Sequence, residues 1–89
     1  MTDVEFMKLC KEEVRKDYAI QTGKRITTDD IYIVWYCKTL QNWKALVSTN
    51  RADGLYYECT YNGDKNQLYL DVYMKIENVC ISKEYKEYL

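Results

Sequence analysis

The 89-residue chain contains no proline and no histidine, and glycine occurs only three times. Without proline or low-complexity tracts there is no visible linker, so residues 1–89 read as one small domain. Without histidine, the four cysteines lack the usual partner for a zinc site, and their wide spacing includes no C-x-x-C pair. No apolar run approaches the ~20 residues that span a bilayer. The first residues also lack the basic, apolar, small-residue order of a signal peptide. The expected location is therefore cytoplasmic, with the four thiols reduced and buried. Charge of one sign is missing too: 13 basic against 14 acidic residues give a net charge of -1. That balance argues against broad binding to duplex DNA and suits a protein partner better.

Tyrosine is what the chain has in excess, with ten in 89 residues. Leu55, Tyr57, Cys59 and Tyr61 alternate with Tyr56, Glu58 and Thr60, and the alternation resumes at Leu68, Leu70, Val72, Met74 and Ile76. Two period-2 runs around Asn62-Gly63 predict a β-hairpin, because side chains change face at every residue and glycine tolerates φ > 0. Pairing Asn62 with Gln67 opposes Tyr57 to Val72 and Cys59 to Leu70 on an apolar core face. The same register opposes Tyr56 to Tyr73, Thr60 to Tyr69 and Glu58 to Asp71 on the other face. Leu68, Val72, Ile76 and Val79 also fit helical spacing, but five consecutive even apolar positions favour a strand.

Thr2 and Glu5 form a T-x-x-E capping box, which opens a helix over about residues 3–21. Its apolar arc holds Val4, Phe6, Met7, Cys10, Val14 and Tyr18, with Glu12 placed to pair with Lys16 and Gly23 to end the helix. The β-branched and aromatic run Ile31-Tyr32-Ile33-Val34-Trp35-Tyr36-Cys37 predicts a strand over 31–38, and a second follows over 44–49. The hairpin strands cover 55–62 and 67–76. The simplest register sets Trp35 opposite Val47 and Cys37 opposite Ala45, all on the core face. The expected fold is thus α+β: an N-terminal helix packed on a four-stranded antiparallel meander, with Ser82 placed to cap a short C-terminal helix over 83–89.

The outward face of this sheet would carry Tyr32, Val34 and Tyr36, then Leu46 and Ser48, then the hairpin's tyrosines and acids. Tyrosine joins a large apolar ring to a hydroxyl and is enriched at protein interfaces. The candidate partner-binding residues are Tyr56, Glu58, Tyr69, Asp71 and Tyr73. The bland alternatives are tyrosines that merely pair across strands, or a C-terminal segment that covers the face. Directly opposed, the two carboxyls would lie ~5 Å apart. Lys75 or a partner's basic side chain would answer their repulsion, or one carboxyl would take up a proton. Glycosidase chemistry also uses paired carboxylates, but a flat face with no glycine-rich loop offers little to enclose a substrate. No catalytic residue, metal or cofactor is expected.

The block from Asp30 through Trp35-Tyr36-Cys37-Lys38-Thr39-Leu40-Gln41-Asn42-Trp43-Lys44-Ala45-Leu46 to Thr49 resembles a family of short proteins from phages and prophages of Firmicutes. Asp53-Gly54-Leu55-Tyr56-Tyr57-Glu58, Thr60-Tyr61-Asn62-Gly63-Asp64-Lys65 and Tyr69-Leu70-Asp71-Val72-Tyr73 carry the same likeness. It covers about residues 30–81 of the chain and leaves out the helix and the tail. The family is known only as a domain of unknown function, and supplies no site residues. The resemblance implies a phage protein made in a host bacterial cytoplasm. Such a protein would bind and inhibit a host protein, with an anti-CRISPR protein as one concrete form. Two alternatives stand beside it: a single-stranded nucleic-acid binder using Lys38, Lys44, Lys75 and Trp43, and a homodimer or larger homo-oligomer joined through the tyrosine face.

Overall fold

The computed structural model describes residues 1–82. Helix α1 spans Asp3–Thr22. The Thr2 hydroxyl oxygen accepts the Glu5 backbone N–H at 3.2 Å, satisfying one of the N–H groups a helix start leaves open. The hydroxyl in turn donates to the Glu5 carboxylate at 3.1 Å, so the return bond of the box goes to a side chain and not to the Thr2 backbone. Gly23, at φ 71°, ends the helix and donates its N–H to the Ala19 carbonyl. Phe6, Cys10, Val14 and Tyr18 form a buried stripe four residues apart. Val4 is exposed and Met7 half-buried, so the packed arc is narrower than the sequence pattern. Glu12 pairs with Arg15, and Glu13 with Lys16, in place of the expected Glu12–Lys16 pair.

A single 3₁₀ turn, Thr28–Asp30, then delivers the chain into the sheet. The strands are β1 (Ile31–Thr39), β2 (Asn42–Thr49), β3 (Leu55–Asn62) and β4 (Gln67–Met74), joined as an antiparallel meander in the order β1-β2-β3-β4. The hairpin register is the expected one along its length, from Leu55 opposite Met74 to Asn62 opposite Gln67. Between β2 and β3, Val47 faces Tyr57 and Ala45 faces Cys59, again as expected. The C-terminal helix over 83–89 lies outside the described residues.

The register of β1 departs from expectation. Ile33 faces Val47, but the next pair is Trp35 with Leu46, so Val34 is an extra residue in the strand. Such a bulge reverses the facing of everything beyond it. Trp35 and Cys37 therefore leave the core side and are exposed, while Tyr36 crosses to the helix side and donates its hydroxyl to Asp3 at 3.0 Å. The inward position opposite Ala45, which an unbroken strand would give to Trp35, is taken by Tyr36. Phe6 and Trp43 pack together in the core with ring centroids 5.3 Å apart. Lys38, on the same side, lies over the Trp43 ring at 5.0 Å.

The core joins the helical stripe to Ile26, Ile31, Trp43, Ala45, Val47, Tyr57 and Cys59. Cys10 and Cys59 meet there, and the hydrogen bond between them together with burial pushes the Cys10 thiol far up. The Cys10 thiol is thus held neutral and inert. Cys37 and Cys80 are exposed, against the expectation that all four would be buried. A polar belt closes one end of the core, where Tyr18 donates to the Asp53 carboxylate at 2.6 Å and ties α1 to the loop before β3.

Two details of the hairpin also differ. In the four-residue turn it is Asn66, at φ 50°, that adopts the left-handed conformation, and Gly63 is not in it. Glycine serves at position 63 because a Cβ there would overlap the Gln41 carbonyl of the neighbouring turn. Strand β4 ends at Met74 and not at Ile76, which is 97% exposed. Helix α1 lies over β1 and β2, so the inward side chains of β4 become less covered along the strand. Leu68 and Leu70 are half-buried, whereas Val72 and Met74 are exposed.

Candidate docking face

The sheet surface opposite α1 is built by three strands in continuous register. Leu46, Glu58 and Asp71 form one row across β2, β3 and β4, and Ser48, Tyr56 and Tyr73 form the next. The Tyr56 and Tyr73 rings stack with centroids 5.1 Å apart and planes 16° from parallel. Beside them, Glu58 and Asp71 are directly opposed. Lys44, one step along β2 on the same face, answers this charge with its ammonium 3.5 Å from the Glu58 carboxylate. The expected bridge from Lys75 is not formed. Among the described residues, no hydrogen bond or ion pair reaches the Asp71 carboxylate, and the residue is exposed.

The Tyr73 hydroxyl points at Glu58, 3.4 Å from its oxygen. The Glu58 charge foremost, then burial and the Asp71 charge, push the ionisation of that hydroxyl up. Tyr73 is therefore held as a neutral hydrogen-bond donor beside two acids. Tyr69 donates to Gln67 at 2.8 Å and is 55% exposed. All five residues expected from the sequence, Tyr56, Glu58, Tyr69, Asp71 and Tyr73, thus lie on one exposed face.

The bulge in β1 changes what surrounds them. Tyr36 leaves this face, and Trp35 joins Tyr32 and Val34 on it. These three side chains are each about half exposed, from 45% to 50%. Tyr32, Val34, Leu46, Ser48 and Tyr56 line an open groove of ≈ 530 Å³. Lys75 and Glu77 also line it, so the chain after β4 passes beside the groove. Trp35 and Lys44 are the members that the sequence pattern missed. A continuous apolar run carries no phase that could have assigned Trp35. Lys44 was legible in principle, because it shares the parity of Leu46 and Ser48 on β2.

The residues proposed for nucleic-acid stacking do not come together. Trp43 is 3% exposed and lies with Lys38 on the helix side, whereas Lys44 is on the opposite face. Among the described residues, no three cysteine, aspartate or glutamate side chains converge as a metal site requires. No helix among them is long and apolar enough to cross a membrane.

A model of a family of unknown function, DUF6275, matches residues 7–83. The chain belongs to that family. The match takes in most of α1 as well as the whole sheet, a wider span than the resemblance read from the strands. No curated protein and no solved structure matches the chain.

Proposed function

We propose that this member of the family is a binding protein without enzymatic activity, which occupies another protein through the sheet face opposite α1. One observation carries the reading: a stacked tyrosine pair flanks two opposed carboxylates on an exposed surface, and among the described residues only Glu58 of the two has a cationic neighbour. The partner surface that suits this arrangement carries arginine. A guanidinium can bind Asp71 through paired hydrogen bonds while its plane rests on the Tyr56 and Tyr73 rings. Tyr32, Val34 and Trp35 then supply apolar area around that contact.

In biological terms, the proposed setting is a host bacterial cytoplasm, with the chain as a phage-encoded accessory protein. The proposed target is a host protein with an arginine-rich cleft that normally holds phosphate. Blocking a nuclease of antiphage defence, as an anti-CRISPR protein does, is the most concrete form. The resemblance of residues 30–81 to short phage and prophage proteins supports the origin, and the acid-and-tyrosine face supports the mode of binding.

The test compares wild type with Glu58→Lys/Asp71→Lys against a host protein captured from a bacterial lysate, with thermal unfolding measured in parallel. The exchange keeps a like-charge opposition and also sets Lys44 beside two lysines in place of its Glu58 partner, an added sheet penalty of order ~1 kcal/mol. Affinity is expected to collapse while the fold holds. Unchanged affinity in the folded variant would move the site elsewhere. Tight, salt-dependent binding of a single-stranded oligonucleotide by wild type would favour the nucleic-acid alternative instead.

A further inference from the structure

The two edges of the sheet are treated differently. Strand β1 carries the bulge at Val34, which interrupts its ladder. Strand β4 runs through Gln67–Met74 with no register shift, and holds no proline, no basic residue and a single charge, Asp71. Bulges, lysines, prolines and inward-pointing charges are the devices that keep sheet edges from pairing, and β4 has none of them. Beyond its end the Lys75 N–H donates inward to the Gly54 carbonyl at 2.7 Å. Alternation along an antiparallel ladder then directs the backbone groups of Leu68, Leu70, Val72 and Met74 to the open edge. The side chains of these same four residues form the apolar row that α1 leaves partly uncovered, with Val72 37% and Met74 59% exposed.

We propose that two copies of this chain pair antiparallel along β4, about a two-fold axis at Leu70, to form one continuous eight-stranded sheet. A two-fold axis must oppose residues of the same facing. Over Gln67–Met74, only centres at Leu70 or Asp71 keep seven residues of each strand paired. A centre at Asp71 would oppose two carboxylates directly, which is destabilising. The centre at Leu70 opposes Tyr69 to Asp71 of the second copy and Gln67 to Tyr73. On the helix side it opposes Leu68 to Val72 and Leu70 to its own counterpart. The occupant of the edge is therefore a second copy, because the row is complementary to itself in this register. A net charge of -1 per chain gives little general repulsion. Helix α1 sits over β1 and β2 at the far side of the sheet, clear of the axis. The surfaces opposite the helices join, doubling the docking face without using it.

Light scattering of the full chain across a concentration series is the first test, and the expected species is a dimer. Val72→Lys, which places an inward-pointing charge on the edge, is expected to yield a folded monomer by circular dichroism. Tyr69→Cys and Asp71→Cys, each made with Cys37→Ser and Cys80→Ser, test the register. Tyr69 and Asp71 of the second copy form a non-hydrogen-bonded pair, for which Cα atoms lie ~4.5 Å apart, within reach of a disulfide. A mixture of the two variants is expected to cross-link faster than either alone. A monomer at every concentration overturns the proposal, as does a dimer that survives Val72→Lys but is lost in Glu58→Lys/Asp71→Lys. Fastest cross-linking by Asp71→Cys alone would overturn the register.

Discussion

Glu58 and Asp71 are cross-strand neighbours of like charge, and the Lys44 ammonium reaches the Glu58 side of the pair. Among the described residues, Asp71 has no such counter-charge. Removing the ammonium should expose the repulsion between the two carboxylates. Lys44→Ala is expected to cost about 0.2–1 kcal/mol, the scale of an exposed ion pair. Asp71→Asn in the same chain should recover most of that loss. Urea titrations of the two single variants and the double variant measure the coupling, and strict additivity would show that Lys44 answers no repulsion.

Gly63→Ala is expected to destabilise by roughly 1–3 kcal/mol, as overpacking against rigid neighbours does. The backbone at position 63 is not left-handed, so the whole cost should come from overlap with the Gln41 carbonyl. Asn66→Gly probes the other end of the turn: it relieves the left-handed backbone but removes the side-chain oxygen that accepts the Tyr61 hydroxyl at 2.6 Å, so its net cost should stay below about 1 kcal/mol. Thermal midpoints of the two variants moving in the reverse order would contradict this assignment of roles.

Acid should weaken the fold through two aspartates. The Thr27 backbone N–H, then the Asn50 amide, hold the Asp30 carboxyl below the ordinary 3.8. At Asp53, burial pushes upward, but hydrogen bonds from Tyr18 and the Leu55 N–H outweigh it and the net shift is also downward. A carboxyl whose folded value is depressed stabilises fully above the unfolded value, and that contribution is lost as pH falls through the folded one. Melting temperatures measured from about pH 6 to about pH 3 should therefore fall more steeply in wild type than in Asp30→Asn/Asp53→Asn. Parallel curves would remove these two groups from the acid response.

Thiol chemistry should divide the cysteines in two. Cys37 and Cys80 are exposed, whereas Cys10 and Cys59 are fully buried. A soluble disulfide reagent is expected to modify two thiols quickly in the native protein, and the other two only at the rate of unfolding. Peptide mapping identifies which two react first. Early modification of Cys59 would mean that the contact between α1 and β3 opens readily.

The hairpin was legible in residues 55–74 because two alternating runs of known parity meet at one turn, and any slip would expose an entire apolar row. Its exposed acids and tyrosines followed from the same parity. Strand β1 was legible as a strand but not in its facing. Ile31 to Cys37 is apolar or aromatic at every position, so no phase could be read across it. The helix was plain from its cap, its four-residue spacing and its terminal glycine. The end of β4 was overrun because Ile76 continues the even-numbered pattern without any packing partner to hold it.

Local pattern by itself determined the elements, their order and the hairpin register, since these depend on side chains that are near one another in sequence. Tertiary packing decided where Trp35 goes. The strand bulges at Val34, so Tyr36 takes the place opposite Ala45 that a straight β1 would give to Trp35, and the indole goes to the opposite face. Packing also decided why residue 63 is glycine, and which lysine meets Glu58. Each of these outcomes is set by the space between elements distant in sequence, and excluded volume of that kind leaves no periodic trace along the chain.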